Sequence, residues 1–447
     1  IENESSKVER YKRADLNFIY YGKDVDAELG FKVKAKYNDI LTITTDNEVR
    51  KIKINKYLLF KYATIEKIKE NSLVRNILDY YRAKKEGKIP YAVYCKRIRP
   101  TTEEIKNQRE EKIEESDPKF SILVPLYNTP VNFLKEMIES VINQTYEKWE
   151  LCLADGSDDN HIGEIQKEVE KYNNEKIKYE KLEKNEGISE NTNKALKMAT
   201  GDFVVLFDHD DLLTCNALYE FAKVIKKDEE CDCIYSDEDK VDEKGKRYYD
   251  PHFKPDYNID MLCSENYICH LFAVRKKLTE KYGGFRAEYD GSQDHEFILR
   301  MTEQARKTIH VPKILYHWRV HSNSTAQDLE NKMYCFESGR KAVKDYYGRK
   351  WPNLKIDHVE DGISLGIYHT IWKFNEYPLV SVIIPNKDHK EDLEKVIKSM
   401  EEKNTWPNIE YIIVENNSKK EVNRISRCLD CHKDGEMRSE KVQEVKK

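Results

Sequence analysis

At 447 residues the chain exceeds what one ordinary hydrophobic core accommodates, so two or three domains are expected. Its 77 basic and 82 acidic residues leave a net charge of −5 with no basic tract, which argues against nucleic acid as a partner. Charged residues at 36% beside 29 tyrosines describe a soluble, folded chain, and no apolar run approaches the roughly 20 residues that span a bilayer.

The ten cysteines are scattered; Cys152 in "WELCLA" and Cys233 in "DCIY" sit in apolar runs and read as reduced core residues of a cytoplasmic protein. The opening "IENESSKVER" has no signal-peptide core and no starting Met, so a fragment of a longer chain is expected. "CLDCH", Cys428 to His432, has the spacing of haem attachment. In a polar tail without an export signal it reads as chance, and as a zinc site it lacks a fourth ligand.

In chain order, "FKVKAKYNDILTITT" (31–45) and "VRKIKI" (49–54) alternate apolar and polar positions and predict strands of a small sheet. Ile65, Ile68, Leu73, Ile77 and Leu78 follow at helical spacing. "TTEEIKNQREEKIEE" after Pro100 predicts a charged connecting helix, and residues 1–116 form an accessory region without evident chemistry.

From Phe120 strands and helices alternate. "FSILVPLY" is a strand; Thr129 and Pro130 predict an N-cap and first helical residue, opening a helix with Phe133, Leu134, Met137, Ile138, Val141 and Ile142 on one face. "WELCLA" and "IKYEKL" are the next strands, "SENTNKALKMA" a helix closed by Gly201, and "FVVLF" a fourth strand. This alternation predicts a parallel sheet covered on both faces, with ligands beyond the carboxyl ends of the strands. Asp155 and the acids of "LFDHDD" (Asp208, Asp210, Asp211) fall at such ends. Unpartnered burial of three charges is expensive, so they meet solvent, a cation or a partner group.

An internal repeat begins near Tyr377. "LVSVIIP" echoes "FSILVPL", with Pro385 lying 260 positions after Pro125, and "IEYIIVENN" echoes "WELCLADGS" at the same offset, placing Glu415 opposite Asp155. "DLEKVIKSM" echoes "FLKEMIESV" between them. The copy is expected to stop before a third strand, and it has no second acidic triplet.

"FSILVPLYNTP", "ADGSDD", "NEGISENTNKAL", "GDFVVLFDHDDLL" and "DGSQDHEFILR", in this order, resemble the family 2 inverting glycosyltransferases of bacteria. Their fold is GT-A, an α/β nucleotide-sugar-binding, Rossmann-like mixed sheet with helices on both faces. "IYSDEDK", "PHFKPD" and "NYICHLF" point to the branch that builds surface polysaccharides, rhamnose-containing ones included. The resemblance implies a small N-terminal β-rich region at 1–116, a catalytic domain at 117–347, a linker at 348–377 and an incomplete second unit at 378–447. It also implies a nucleotide-sugar donor (UDP- or dTDP-linked), a glycan or lipid-linked glycan acceptor, and peripheral association with the inner face of the membrane.

Residue by residue, the resemblance assigns Asp210 mainly to a Mn²⁺ or Mg²⁺ ion, Asp208 to ribose or metal, and His321 to the metal shell. In an extended "DHD", Asp208 and Asp210 project to one side, and paired carboxylates suit a hard cation. A solvated acidic turn is the alternative. Asp155, after Ala154 where relatives often carry a second acid, is assigned to the imino N–H of uracil or thymine; an Asx-turn is its alternative. Pro125, Tyr127 and Asn128 join it on the donor, with Asn185, Gly187 and Asn193 as a donor-pocket loop that helix capping explains nearly as well. Asp294, two residues after the helix-capping Ser292, is the expected catalytic base, and a dipole-favouring acid is its alternative. "YHWRVH" departs from the Q-x-x-R-W of many relatives; Arg319 is expected to neutralise the diphosphate. Competing functions are a nucleotidyltransferase, whose Gly-rich basic loop is missing from "PLYNTP", a His-Asp phosphohydrolase, and a catalytically inactive carbohydrate-binding module.

Overall fold

The computed structural model describes residues 8–11, 30–33, 40–45, 48–53, 72–321, 333–415, 432–433, 436–437 and 442–446. The chain divides into two compact units, one of residues 1–262 and 266–338, the other of 263–265 and 339–447.

In the first unit β1 (Val8–Tyr11) pairs antiparallel with β2 (Gly30–Val33), and β3 (Ile40–Thr45) with β4 (Glu48–Lys53), so the alternating runs are strands. They form separate two-stranded ladders rather than one small sheet. Three helices follow: α1 (Ser72–Lys85), α2 (Tyr91–Ile98) and α3 (Thr102–Glu110). Ile65 and Ile68 of the helical pattern lie outside the described residues, as does the Cys428–Cys431 pair. α3 is opened by a capping box: the Thr101 hydroxyl accepts from the Glu104 N–H while the Glu104 carboxylate accepts from the Thr101 N–H.

The main sheet begins with β5 (Phe120–Leu126), β6 (Trp149–Asp155), β7 (Ile177–Lys181) and β8 (Phe203–Leu206), parallel and in spatial order β7-β6-β5-β8. Every residue of β6 is buried, and all of β5 but Pro125, because both faces are covered; this is why they read as continuous apolar runs. α4 (Val131–Ile142) buries Phe133, Leu134, Met137, Ile138 and Val141, and α5 (Ile162–Glu170), α6 (Ile188–Met198) and α7 (Ala217–Lys227) bury their own apolar faces. The order continues through β12 (Phe272–Arg275), β10 (Cys231–Asp242), β13 (Lys307–Val320) and β9 (Leu212–Leu213), with β11 (Tyr248–His252) paired on β10. β12 runs antiparallel to both neighbours, whereas β10 and β13 are parallel. A wholly parallel sheet therefore holds only for the first four strands. The whole is the mixed α/β sheet that a GT-A unit requires.

Two helix boundaries differ from expectation. Pro130, not Thr129, occupies the cap of α4, because its extended ψ of 128° keeps it out of the helix; the Thr129 hydroxyl is buried without a hydrogen-bond partner. α6 is capped by Ala199 rather than closed by Gly201. Gly201 serves a close approach instead: a Cβ there would lie 2.6 Å from the carbonyl oxygen of Lys119.

In the second unit β16 (Val380–Asn386) and β17 (Ile409–Glu415) are parallel and joined by α9 (Lys390–Lys403), and β14 (Lys355–Asp361) pairs with β15 (Tyr368–Lys373). Val380 stands opposite Ile409 as Phe120 stands opposite Trp149, so register repeats along with sequence. β18 (Val442–Lys446) lies parallel to β17, so a third strand is present where none was expected. Its sequence, "VQEVK", has too few apolar residues to announce a strand. Unlike the buried β5, β16 is largely exposed, with Ile383 at 66%.

Glu150, 2% exposed on β6, binds three neighbouring strands together. It accepts hydrogen bonds from the Lys119 ammonium, the Ser121 hydroxyl and both the N–H and hydroxyl of Thr200, with Lys178 at 3.0 Å. Burial raises its pKa, but these donors outweigh burial and hold it well below the usual carboxylate range. A depressed folded-state pKa stabilises the fold above about pH 5, and that contribution is lost as pH falls below about 4. Glu150→Gln is expected to lower stability at pH 7 by about 1–3 kcal/mol. Urea titrations at pH 7 and 3.5 should show a gap between wild type and variant that narrows on acidification; a gap of constant size would contradict this role.

Candidate active site

The chain leaves β8 through Phe207 into the turn 208–211, and its three acids part company there. Asp211 is fully buried: one carboxylate oxygen accepts from the Arg319 backbone N–H at 2.6 Å and the other from the Tyr316 hydroxyl. Burial, then the charges of Asp210 and Asp208, raise its pKa well above the usual value, opposed by these two donors. Asp211 thereby ties the turn to β13. Asp208 and Asp210 stay partly open, at 42% and 18% side-chain exposure.

Asp210 is held twice from β13 and its end. Its carbonyl accepts from Arg319 Nε at 2.6 Å, and its carboxylate lies 2.8 Å from His321 Nε2. Asp208 faces His270 Nε2 at 3.4 Å; that ring stacks on Tyr316 at 4.9 Å, and its Nδ1 is buried without a partner. The surrounding protein withdraws solvent from Asp208 even though part of its side chain is open. This desolvation raises its pKa, His270 opposes the rise, and Asp210 and Asp294 add to it.

Asp294 therefore lies within electrostatic reach of Asp208. It stands in the first turn of α8 (Gln293–Gln304), where Ser292 occupies the cap but gives its hydroxyl to the Cys335 carbonyl. Gly291 precedes it at φ +92°, and a Cβ there would meet Cys335 Sγ at 2.6 Å. Asn266 Nδ2 donates to one Asp294 oxygen at 2.9 Å. The adjacent His295 and Glu296 are buried: His295 Nε2 lies 2.7 Å from the Leu262 carbonyl oxygen, and Arg300 grips Glu296 through two contacts of 2.8 Å.

On the donor side, Leu126 at the end of β5 stands beside Asp155 at the end of β6. Asp155 is fully buried; it accepts from the Ser157 N–H at 2.9 Å, an Asx-turn, and from the Tyr179 hydroxyl at 2.8 Å. Pro125 is partly open, Tyr127 is 50% exposed, and Asn128, at φ +50°, donates its N–H to Ser157 Oγ and its side-chain amide to Asp158. Gly187 takes φ +96°, and the Asn185 side chain accepts from its N–H and from Asn191. The strand ends thus bring together Tyr127, Asn128, Asp155, Asp208 and Asp210.

Two expected donor contacts point elsewhere. Asn193 staples α6 to the Phe285 backbone through both ends of its side-chain amide, donating Nδ2 to the carbonyl at 2.9 Å and accepting from the N–H at 2.8 Å. Arg319 has no exposed side-chain surface. Its guanidinium contacts the Asp210 and Glu243 carbonyls and the Glu136 carboxylate and lies 4.7 Å over the Phe133 ring, so it positions the turn rather than facing a diphosphate. His321, likewise, is the hydrogen-bond partner of Asp210. Among the described residues no group of three or more His, Cys, Asp or Glu side chains stands ready to hold a metal ion.

Sequence reasoning missed His270, Asn266 and Glu136. His270 sits alone in the apolar run "ICHLF", whereas Asn266 and Glu136 sit beside other polar residues; only the fold brings each to Asp208, Asp294 or Arg319.

Residues 121–283 match the family model described as "Glycosyl transferase family 2". This segment belongs to the family 2 glycosyl transferases. The chain is 38% identical over 307 residues to "Uncharacterized protein y4gI" of Sinorhizobium fredii, covering 68% of this chain and 33% of that protein. It is 29% identical over 302 residues to "O-antigen biosynthesis protein RfbC" of Myxococcus xanthus, covering 67% of this chain and 23% of that one. The match thus spans a third or less of the length of these relatives. Among solved structures, S. aureus TarS 1–349 in complex with UDP-GlcNAc aligns at a TM-score of 0.41 and 20% identity, over 53% of this chain and 73% of that one.

Arg319→Lys keeps the charge but cannot reach its carbonyl and carboxylate partners together. We expect a loss of about 1–3 kcal/mol in thermal stability, with nucleoside diphosphate affinity falling only as far as the turn loosens. An unchanged melting temperature with weakened diphosphate binding would return Arg319 to the donor site.

Proposed function

We propose that this chain is an inverting glycosyltransferase of the hexosyltransferase class. It moves a sugar from a UDP- or dTDP-linked donor to a hydroxyl of a growing surface polysaccharide, rhamnan-type ones included, or of a lipid-linked glycan, at the cytoplasmic face of the membrane. One observation carries the reading: two partly open carboxylates, Asp208 and Asp210, share a turn at the carboxyl end of a central strand, with Asp294 in electrostatic reach. In this reading residues 117–347 are the catalytic unit, 1–116 an accessory region, 348–377 a connection, and 378–447 a second unit without its own acidic turn. No described helix is long and apolar enough to cross a membrane.

Asp208 and Asp210 fit Mn²⁺ or Mg²⁺. Such ions are commonly bound by one or two carboxylates and by substrate phosphates rather than by an all-protein cage, which agrees with two carboxylates in one turn and, among the described residues, no larger cluster. When bound, the ion supplies Lewis-acid neutralisation of the departing diphosphate. His321 orients Asp210 through its hydrogen bond. Asn266 holds one oxygen of Asp294, leaving the other to accept the proton of the acceptor hydroxyl. The acceptor oxygen forms its bond to the anomeric carbon from the face opposite the leaving group. The bond to the diphosphate breaks with its electron pair, and the proton ends on Asp294. In this reading Tyr127 contacts the donor nucleotide, and Asp155 exchanges its Ser157 or Tyr179 hydrogen bond for the imino N–H of the base.

A panel of UDP-, dTDP- and GDP-sugars, with and without Mn²⁺, should show release of the matching nucleoside diphosphate. Pyrophosphate release instead would favour the nucleotidyltransferase reading, and binding without turnover an inactive module. Asp294→Asn keeps shape and hydrogen bonding but removes the proton acceptor. It should bind donor with near-normal affinity while turnover falls about 10²–10⁴-fold. Joint loss of affinity, turnover and thermal stability would make Asp294 a structural residue.

A further inference from the structure

Away from the acidic turn, a groove of about 450 Å³ runs between α1, α2 and the β11 edge of the main sheet. Tyr80, Tyr91, Tyr248 and Tyr249 line it, with Ile89 59% exposed at its rim. We propose that this groove is an accessory subsite for a neutral oligosaccharide, holding the part of the acceptor glycan remote from the reacting hydroxyl. The assignment as acceptor subsite rests on the transferase reading; the saccharide chemistry of the groove stands on its own.

The charges lining the groove cancel. Asp79, Glu86 and Asp250 stand against Arg82, Lys88 and Arg247 in its lining: Asp79 pairs with Arg247 at 2.5 Å and Glu86 with Arg82 at 3.4 Å and Lys88 at 2.9 Å, while Lys240 meets Asp250 from outside the groove. No net field remains to draw a phosphate or an acidic chain, so the fitting ligand is uncharged. Arg247 is the second observation. It is 9% exposed, its guanidinium lies 4.3 Å over the Tyr249 ring, one arm meets Asp79, and its Nε is buried without a hydrogen-bond partner. An unmet buried donor is unfavourable, which a ligand oxygen reaching it relieves. Tyrosine rings offer apolar faces with polar edges, which suit the alternating C–H and hydroxyl surfaces of a pyranose.

The groove is tied to the sheet of the acidic turn. Tyr91 donates its hydroxyl to Asp239 of β10 at 2.6 Å, and the other Asp239 oxygen lies 2.5 Å from His317 Nδ1 of β13, the strand that carries Arg319. β11, which brings Tyr248 and Tyr249, is paired on the same β10. The helices before residue 117 thus gain a function: with β11 they make a glycan platform.

Calorimetry on the full chain tests this, using neutral hexasaccharides of glucose, mannose, galactose and rhamnose, and a chondroitin hexasaccharide as acidic control. At least one neutral hexasaccharide should bind, and the acidic one should not. Tyr80→Ala, at a 41%-exposed position that leaves the fold intact, should weaken that binding about tenfold while UDP affinity stays unchanged. Arg247→Lys should weaken it similarly. Failure of every neutral hexasaccharide to bind, equal or tighter binding of chondroitin, or indifference to Tyr80→Ala would overturn the proposal. Donor hydrolysis measured alongside keeps the two readings apart. Saccharide binding without hydrolysis sinks the transferase reading alone, and hydrolysis without saccharide binding sinks the groove alone.

Discussion

The geometry of the acidic turn depends on a carboxylate that never reaches solvent. Asp211, clasped by the Arg319 N–H and the Tyr316 hydroxyl, pins the turn after β8 to β13. Arg319 then holds the Asp210 carbonyl, and Glu136 of α4 and the Glu243 carbonyl hold Arg319. With one acid committed inward, the other two are left at the mouth of the sheet. A buried ion can orient its neighbours only if its own hydrogen bonds are satisfied, because an unpaired charge there would simply neutralise. Asp211 meets that condition through the Arg319 N–H and the Tyr316 hydroxyl, and Arg319 through the Asp210 and Glu243 carbonyls and the Glu136 carboxylate.

Electrostatic crowding is the consequence. Beyond burial, Asp210 and Asp294 raise the proton affinity of Asp208, which His270 opposes, and Asp210 and Asp208 raise that of Asp211. A cation or a set of donor hydroxyls entering between Asp208 and Asp210 would relieve that repulsion. Such a site is poised for ligand rather than stabilised without it, in keeping with functional sites as places of perturbed proton affinity.

Much of the scaffold was legible because its causes are local. Continuous apolar runs ending in polar turns marked β5, β6 and β8, and 3.6-residue spacing marked α4. The antiparallel insertion of β12 was not legible, since strand order beyond β8 depends on contacts distant in sequence. Asp208, Asp210 and Asp294 were legible as acids at element ends. The positioning roles of Arg319 and Asn193 were not: a charged or amide side chain reads as a ligand contact until burial shows its donors committed to backbone. β18 escaped because edge strands of an exposed sheet need little apolar sequence. The second unit repeats strand register and helix, yet its β16 is exposed where β5 is buried, so sequence likeness there measured topology and not packing.

In the proposed reading Asp208 and Asp210 form the donor-diphosphate end of the site. Calorimetry of UDP with and without Mn²⁺, on wild type and on Asp210→Ala, tests it most directly. Mn²⁺ should tighten UDP binding to the wild type and leave the folded variant unaffected, with turnover of nucleotide-sugar abolished. Retained Mn²⁺-dependent turnover in Asp210→Ala would contradict it.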